Sequence, residues 1–92
     1  MPYKVEIATT EANHRFLARL PANIFPKLKK QLELLGKHPY LGRSVDAPVS
    51  CYLYSFNITH EDLTYKFVVS YKIDEGSETI FITSFGRETR LD

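Results

Sequence analysis

The order of periodicities along the chain predicts an α+β fold: strand, helix, helix, then three strands, with the helical hairpin packed on one face of an antiparallel-rich sheet. Three observations carry this. The opening "YKVEI" alternates apolar and polar residues with the period of a half-buried strand, two segments up to Gly36 repeat their apolar residues at helical spacing, and the chain after Ser50 returns to alternation.

Each element has its own warrant. In "YKVEI", Tyr3, Val5 and Ile7 alternate with Lys4 and Glu6. In "TTEANHRFLARLP", Thr9 or Thr10 caps a first helix, Glu11 suits its dipole, and Ala12, Phe16 and Leu20 share a face with Leu17 beside them. Pro21 stops it. Asn23 is the expected cap of a second helix, in which Pro26 is tolerated in the first turn. Phe25, Leu28, Leu32 and Leu35 form its apolar stripe, and Gly36 its expected C-terminal cap. Residues 37–50, broken by Pro39, Gly42 and Pro48, read as a loop.

"SCYLYSFNI" sets Tyr52, Tyr54, Phe56 and Ile58 against Leu53, Ser55 and Asn57. "YKFVVSYKI" sets Tyr65, Phe67, Val69, Tyr71 and Ile73 against Lys66, Val68, Ser70 and Lys72. "DEGSE" is a hairpin turn, with Gly76 the residue expected at positive φ. "TIFITSF" is the last strand, apolar on both sides and so well covered.

At 92 residues, with 43% apolar and 25% charged residues, the chain has the composition of one soluble domain spanning 1–92. No apolar run is long enough to span a membrane, and "MPYKVEIATT" lacks the plan of a signal peptide. One cysteine, Cys51, excludes an intrachain disulfide, and no metal-ligand spacing is present. The expectation is a cytoplasmic protein with a reduced thiol and no metal or cofactor. The net charge of +1 is unevenly spread: residues 1–43 hold eight Lys/Arg and three Asp/Glu (+5), residues 44–92 four and eight (−4). If the second half forms the functional face, that face is poorly charged for RNA.

Few residues invite chemistry. His60 in "THEDL" reads as a turn residue beside two carboxylates, and His14 and His38 as solvent-facing. Cys51 has no basic neighbour in sequence and reads as structural. The tyrosines of the strands read as core, and "KLKK" at 27–30 as a solvated helix face. Arg87 differs: it follows an apolar strand and Gly86, where a cation can bind an anion such as an RNA phosphate.

The same element order, with "LLGKHPYLGRS" after the helical hairpin, Tyr71 to Ile73 closing the penultimate strand, and the Gly86–Arg87 step in "IFITSFGRE", resembles the RelE/ParE toxin superfamily over nearly the whole chain. The resemblance implies the toxin of a type II toxin–antitoxin module, held inactive by a cognate antitoxin. RelE-like members cut messenger RNA on the ribosome, whereas ParE-like members poison DNA gyrase. It also implies where RNA-cleaving residues belong. Of the open-face positions that carry basic residues in nucleases, this chain has Leu53, Ser55 and Asn57 on one strand and Val68 on the next. Its end, "ETRLD", offers neither an aromatic nor an imidazole group. Arg87 alone matches, as the candidate catalytic residue, with Lys66, Lys72 and Arg90 as RNA-binding candidates. The expectation is thus a RelE-like inhibitor of translation with weak cleavage. The alternatives are a gyrase-binding toxin and a non-toxic member that only binds an antitoxin.

Overall fold

The computed structural model describes residues 2–46 and 50–91, with 88–91 as backbone. The chain runs β1 (Lys4–Ile7), α1 (Glu11–Ala18), α2 (Phe25–Lys37), β2 (Arg43–Val45), β3 (Cys51–His60), β4 (Leu63–Asp74) and β5 (Thr79–Leu91). One sheet holds all five strands in the order β1-β5-β4-β3-β2. Only β1, which pairs with β5, is parallel to its neighbour; the other pairs are antiparallel. The predicted order is present, with one strand added. Residues 43–45, read as loop, form β2 by pairing Arg43 with Leu53 and Val45 with Cys51. A three-residue edge strand is too short to show an alternation in sequence.

The core lies between the helices and one sheet face. Phe67, Val69, Tyr71, Ile80, Ile82, Ile24, Leu28 and Leu35 are fully buried there. The strand faces follow the predicted alternation on β3 and β4. Burying each large apolar side chain contributes about 1.5–3 kcal/mol before entropy is counted.

The helices differ from expectation at their ends. Thr10 caps α1, its Oγ1 accepting from the Asn13 backbone N–H at 3.1 Å, and the helix ends at Ala18, short of Pro21. Ile24, not Asn23, sits at the N-cap of α2, and no side chain bonds there. Ile24 also takes the stripe position expected of Phe25, because 24, 28, 32 and 35 fit the helical period equally well; Phe25 is left 45% exposed. Gly36 lies inside α2 rather than beyond it. It is needed for close approach: the Tyr3 N–H donates to the Gly36 carbonyl at 2.7 Å, and a Cβ on Gly36 would meet the Tyr3 carbonyl oxygen at 2.7 Å.

Two turns place non-glycine residues at positive φ. Glu61 (φ 57°) joins β3 to β4, and Glu78 (φ 48°) closes the β4–β5 turn. Gly76 does not take positive φ, contrary to expectation. The Asp74 carboxylate holds that turn instead, accepting from the Gly76 and Ser77 N–H groups.

The last strand departs most from the sequence reading. It does not stop at Phe85 but runs through Gly86 and Arg87 to Leu91, paired with β4 throughout. Its register slips once: Ser70 pairs with Ser84 but Tyr71 with Ile82, which leaves Thr83 as the extra residue of a β-bulge. The bulge is tied down on every side. Thr83 Oγ1 donates to the Ser70 carbonyl at 3.0 Å and lies 2.6 Å from Ser70 Oγ, while the Thr83 carbonyl accepts from Asn13 Nδ2 at 3.1 Å.

Candidate functional site

The bulge decides where Arg87 points. Side chains alternate along a strand, so an unbroken β5 with Ile80 and Ile82 in the core would send Arg87 to the open face. The extra residue at Thr83 reverses this. Phe85 and Arg87 pair with Val69 and Phe67 and so lie on the helix side. There the Arg87 guanidinium sits over the Tyr65 ring, 5.6 Å from its centroid.

Arg87 is joined by Arg15 of α1 and by Arg19, which caps the C-terminus of that helix. Ala12, Arg15, Phe16 and Arg19 face Phe85, Gly86 and Arg87 across a cleft. The floor is apolar: Phe16 stacks on Phe85 at 5.0 Å with ring planes 9° apart, and meets Phe67 edge-on. Arg15 is ion-paired to Glu11, four residues earlier. Among the described residues, neither Arg19 nor Arg87 has a carboxylate within ion-pair distance. The sequence reading missed Arg15 and Arg19. Their signal was the i, i+4 spacing of two arginines flanking Phe16, one on a short helix and one at its C-cap.

Lys66 and Lys72 are exposed on the other face of the sheet. The structure therefore does not bring them together with Arg87. They lie six residues apart on β4, roughly 20 Å at the rise of a strand. Between them runs the row Arg43, Leu53, Ser70 and Ser84, linked by register across four strands. Arg43 is thus a further open-face cation, hidden from sequence reading because β2 read as loop. Lys72 neighbours Phe81, which is 37% exposed. Arg90 pairs with Thr64 in the ladder. Leu53, Ser55, Asn57 and Val68 occupy this face between the cations, so it carries scattered charge rather than a cluster.

The histidines lie elsewhere. His60 ends β3, and its Nε2 accepts from the Asn23 amide, which fixes the start of the hairpin connection instead of capping α2. His14 faces away from the arginine cleft, beside Ile7 and Leu17. Among the described residues no cluster of His, Cys, Asp and Glu could hold a metal ion. No helix there is long and apolar enough to cross a membrane. Two tyrosines have raised pKa values: Tyr54 through burial, and Tyr71 chiefly through burial, opposed by the Gly42 N–H that donates to its oxygen. Tyr71 also donates to the Pro39 carbonyl, so its hydroxyl ties the 39–42 loop to the core and has no chemistry to offer.

No family model matches the sequence, and no curated protein matches it. Solved structures do. The RelBE2 toxin–antitoxin complex of Mycobacterium tuberculosis contains a chain that superposes with a TM-score of 0.68 at 20% identity, covering 96% of this chain and all of that one. An arginine-to-alanine double variant of the Escherichia coli toxin RelE in the free state gives 0.67 at 17% identity, covering 94% and 83%. The chain has the fold of the RelE toxins. The intact E. coli RelBE complex matches as well, with a TM-score of 0.60 at 20% identity over 96% of this chain. The likeness to these structures covers 94–96% of this chain, so the differences that matter are side chains placed on a shared scaffold.

Proposed function

We propose that this chain is the toxin of a toxin–antitoxin pair, bound by a cognate antitoxin, and that it acts on translation by engaging messenger RNA on the ribosome. The observation that carries this reading is the match of 94–96% of the chain to RelE toxins, in complexes with an antitoxin and in the free state. The RNA contact is proposed on the open face through Arg43, Lys66 and Lys72; Arg90, also proposed to bind RNA, has its side chain outside the described residues.

Strand scission asks for more. A 2′-hydroxyl must lose its proton, the pentacoordinate phosphate must be stabilised, and the departing 5′-oxygen must gain a proton. Arginine supplies only the second of these, because a guanidinium stays charged at any physiological pH. Arg87 is proposed as a phosphate-holding group. The scattered cations of the open face favour binding over proton transfer, and cleavage is proposed to be slow. Primer extension on a translated messenger, with purified ribosomes and the purified chain, tests this. Weak, ribosome-dependent stops reduced at least tenfold by Arg87→Ala support the reading; no stops and no translational arrest overturn it.

A second reading has its own observation. Arg87 and the lysines occupy opposite sheet faces, as suits a protein-binding toxin better than a nuclease. DNA gyrase is then the target. Inhibited supercoiling at stoichiometric chain, with translation unaffected, would select it.

A further inference from the structure

We propose that the cleft between α1 and β5, lined by Arg15, Arg19 and Arg87, binds the phosphate backbone of single-stranded RNA, as a site separate from the open face. The polymer's identity rests on the translational reading above; the anion preference rests on the cleft itself.

Three arginines line the cleft from its two sides, against one carboxylate among the described residues, Glu11. Each guanidinium presents a planar fork of donors that matches a phosphate oxygen pair. None of the three is buried, so each can reach a ligand without a large desolvation cost. Arg87 is steadied by the Tyr65 ring beneath it, which limits the entropy lost on binding.

The cleft lacks what a protein partner needs. Protein interfaces centre on apolar anchors that enter pockets. Among the described residues the exposed large apolar side chains are Phe25, Leu34, Tyr40, Leu41 and Phe81, and none lines the cleft. Phe16 and Phe85 are turned on each other, and Phe16 also meets Phe67 edge-on. Their rings form a floor and leave no paired faces for inserting an apolar side chain or sandwiching a base. An occupant is therefore held by charge and contacts the site through its anionic groups, as a nucleic-acid backbone does.

Fluorescence anisotropy with a labelled twelve-nucleotide oligouridylate tests this, on the full chain, across 50–200 mM salt. The Arg15→Gln/Arg19→Gln variant is expected to bind about tenfold more weakly at the low-salt end, with a log–log salt slope shallower by roughly 1.4, about 0.7 for each lost contact on a single strand. Arg19→Gln alone breaks no ion pair among the described residues and is expected to weaken binding about threefold. It keeps the test open should the double variant unfold. Unchanged affinity and slope in both variants, with binding lost only in Lys66→Gln/Lys72→Gln, would overturn the proposal. So would tighter binding of a glutamate-rich peptide of equal charge with the same arginine dependence, which would assign the cleft to an acidic protein segment. Toxicity is not read in this assay. A chain that binds RNA through these arginines without arresting growth keeps the cleft and loses the toxin reading; growth arrest with arginine-independent RNA binding does the reverse.

Discussion

Asn13 joins three segments with one side chain. Its Nδ2 donates to the Ala8 carbonyl at 2.9 Å and to the Thr83 carbonyl at 3.1 Å, while its backbone N–H takes the Thr10 cap. It is 3% exposed, so both carbonyls would be left without a donor if it were removed. Asn13→Ala is expected to lower unfolding stability by about 1–3 kcal/mol in urea titrations. Asn13→Asp should cost at least as much, since a carboxylate cannot donate to two carbonyl oxygens; a neutral outcome would contradict this role. Tyr71 acts likewise on the 39–42 loop, and Tyr71→Phe should cost about 1–3 kcal/mol. Its folded pKa lies above the usual 10.0, as does that of Tyr54. The folded state thus holds these protons more tightly than the unfolded one. Their contribution is fully present below pH 10 and is lost as pH rises through the folded values. Stability followed from pH 8 upward should be flat to about pH 9 and fall beyond 10. Tyr71→Phe should show a shallower alkaline fall. Neither Asn13 nor the loop tether was legible in sequence, because each joins residues far apart in the chain.

At the scale of the element, glycine and bulge positions decide more than propensity. Ala is a better helix former than Gly by about 1 kcal/mol, so propensity alone predicts that Gly36→Ala stabilises α2. The structure predicts the reverse, by about 1–3 kcal/mol, because the new Cβ meets backbone that is itself hydrogen-bonded. Thermal unfolding of that one variant separates the two. Glu61 offers the opposite case: with φ at 57°, Glu61→Gly should raise stability by several tenths to about 1 kcal/mol, read as a higher urea midpoint. The strands β3 and β4 were legible because strict alternation leaves one assignment of faces. In β5 the only trace of the bulge is the adjacent polar pair Thr83–Ser84 inside an apolar run. That trace is too slight to reveal that Arg87 changes face, and with it the whole composition of the cleft.

Over the whole molecule, the element order was readable because each switch of period is punctuated by a cap, a proline or a turn. The charge asymmetry was readable too, but its meaning was not. The basic first half supplies Arg15 and Arg19 to the helix side, where the fold brings Arg87 from the acidic second half to meet them. The result is a RelE-type scaffold with three arginines along the cleft beside α1 and the cations of its open face scattered. On the proposed toxin reading, the chain should stop protein synthesis by occupying RNA more than by cutting it. The measurement that tests this most directly is labelled-amino-acid incorporation after induction of the chain without an antitoxin, with plasmid supercoiling followed in the same cells. Incorporation is expected to fall within minutes while supercoiling holds. Steady incorporation, with or without a loss of supercoiling, would contradict it.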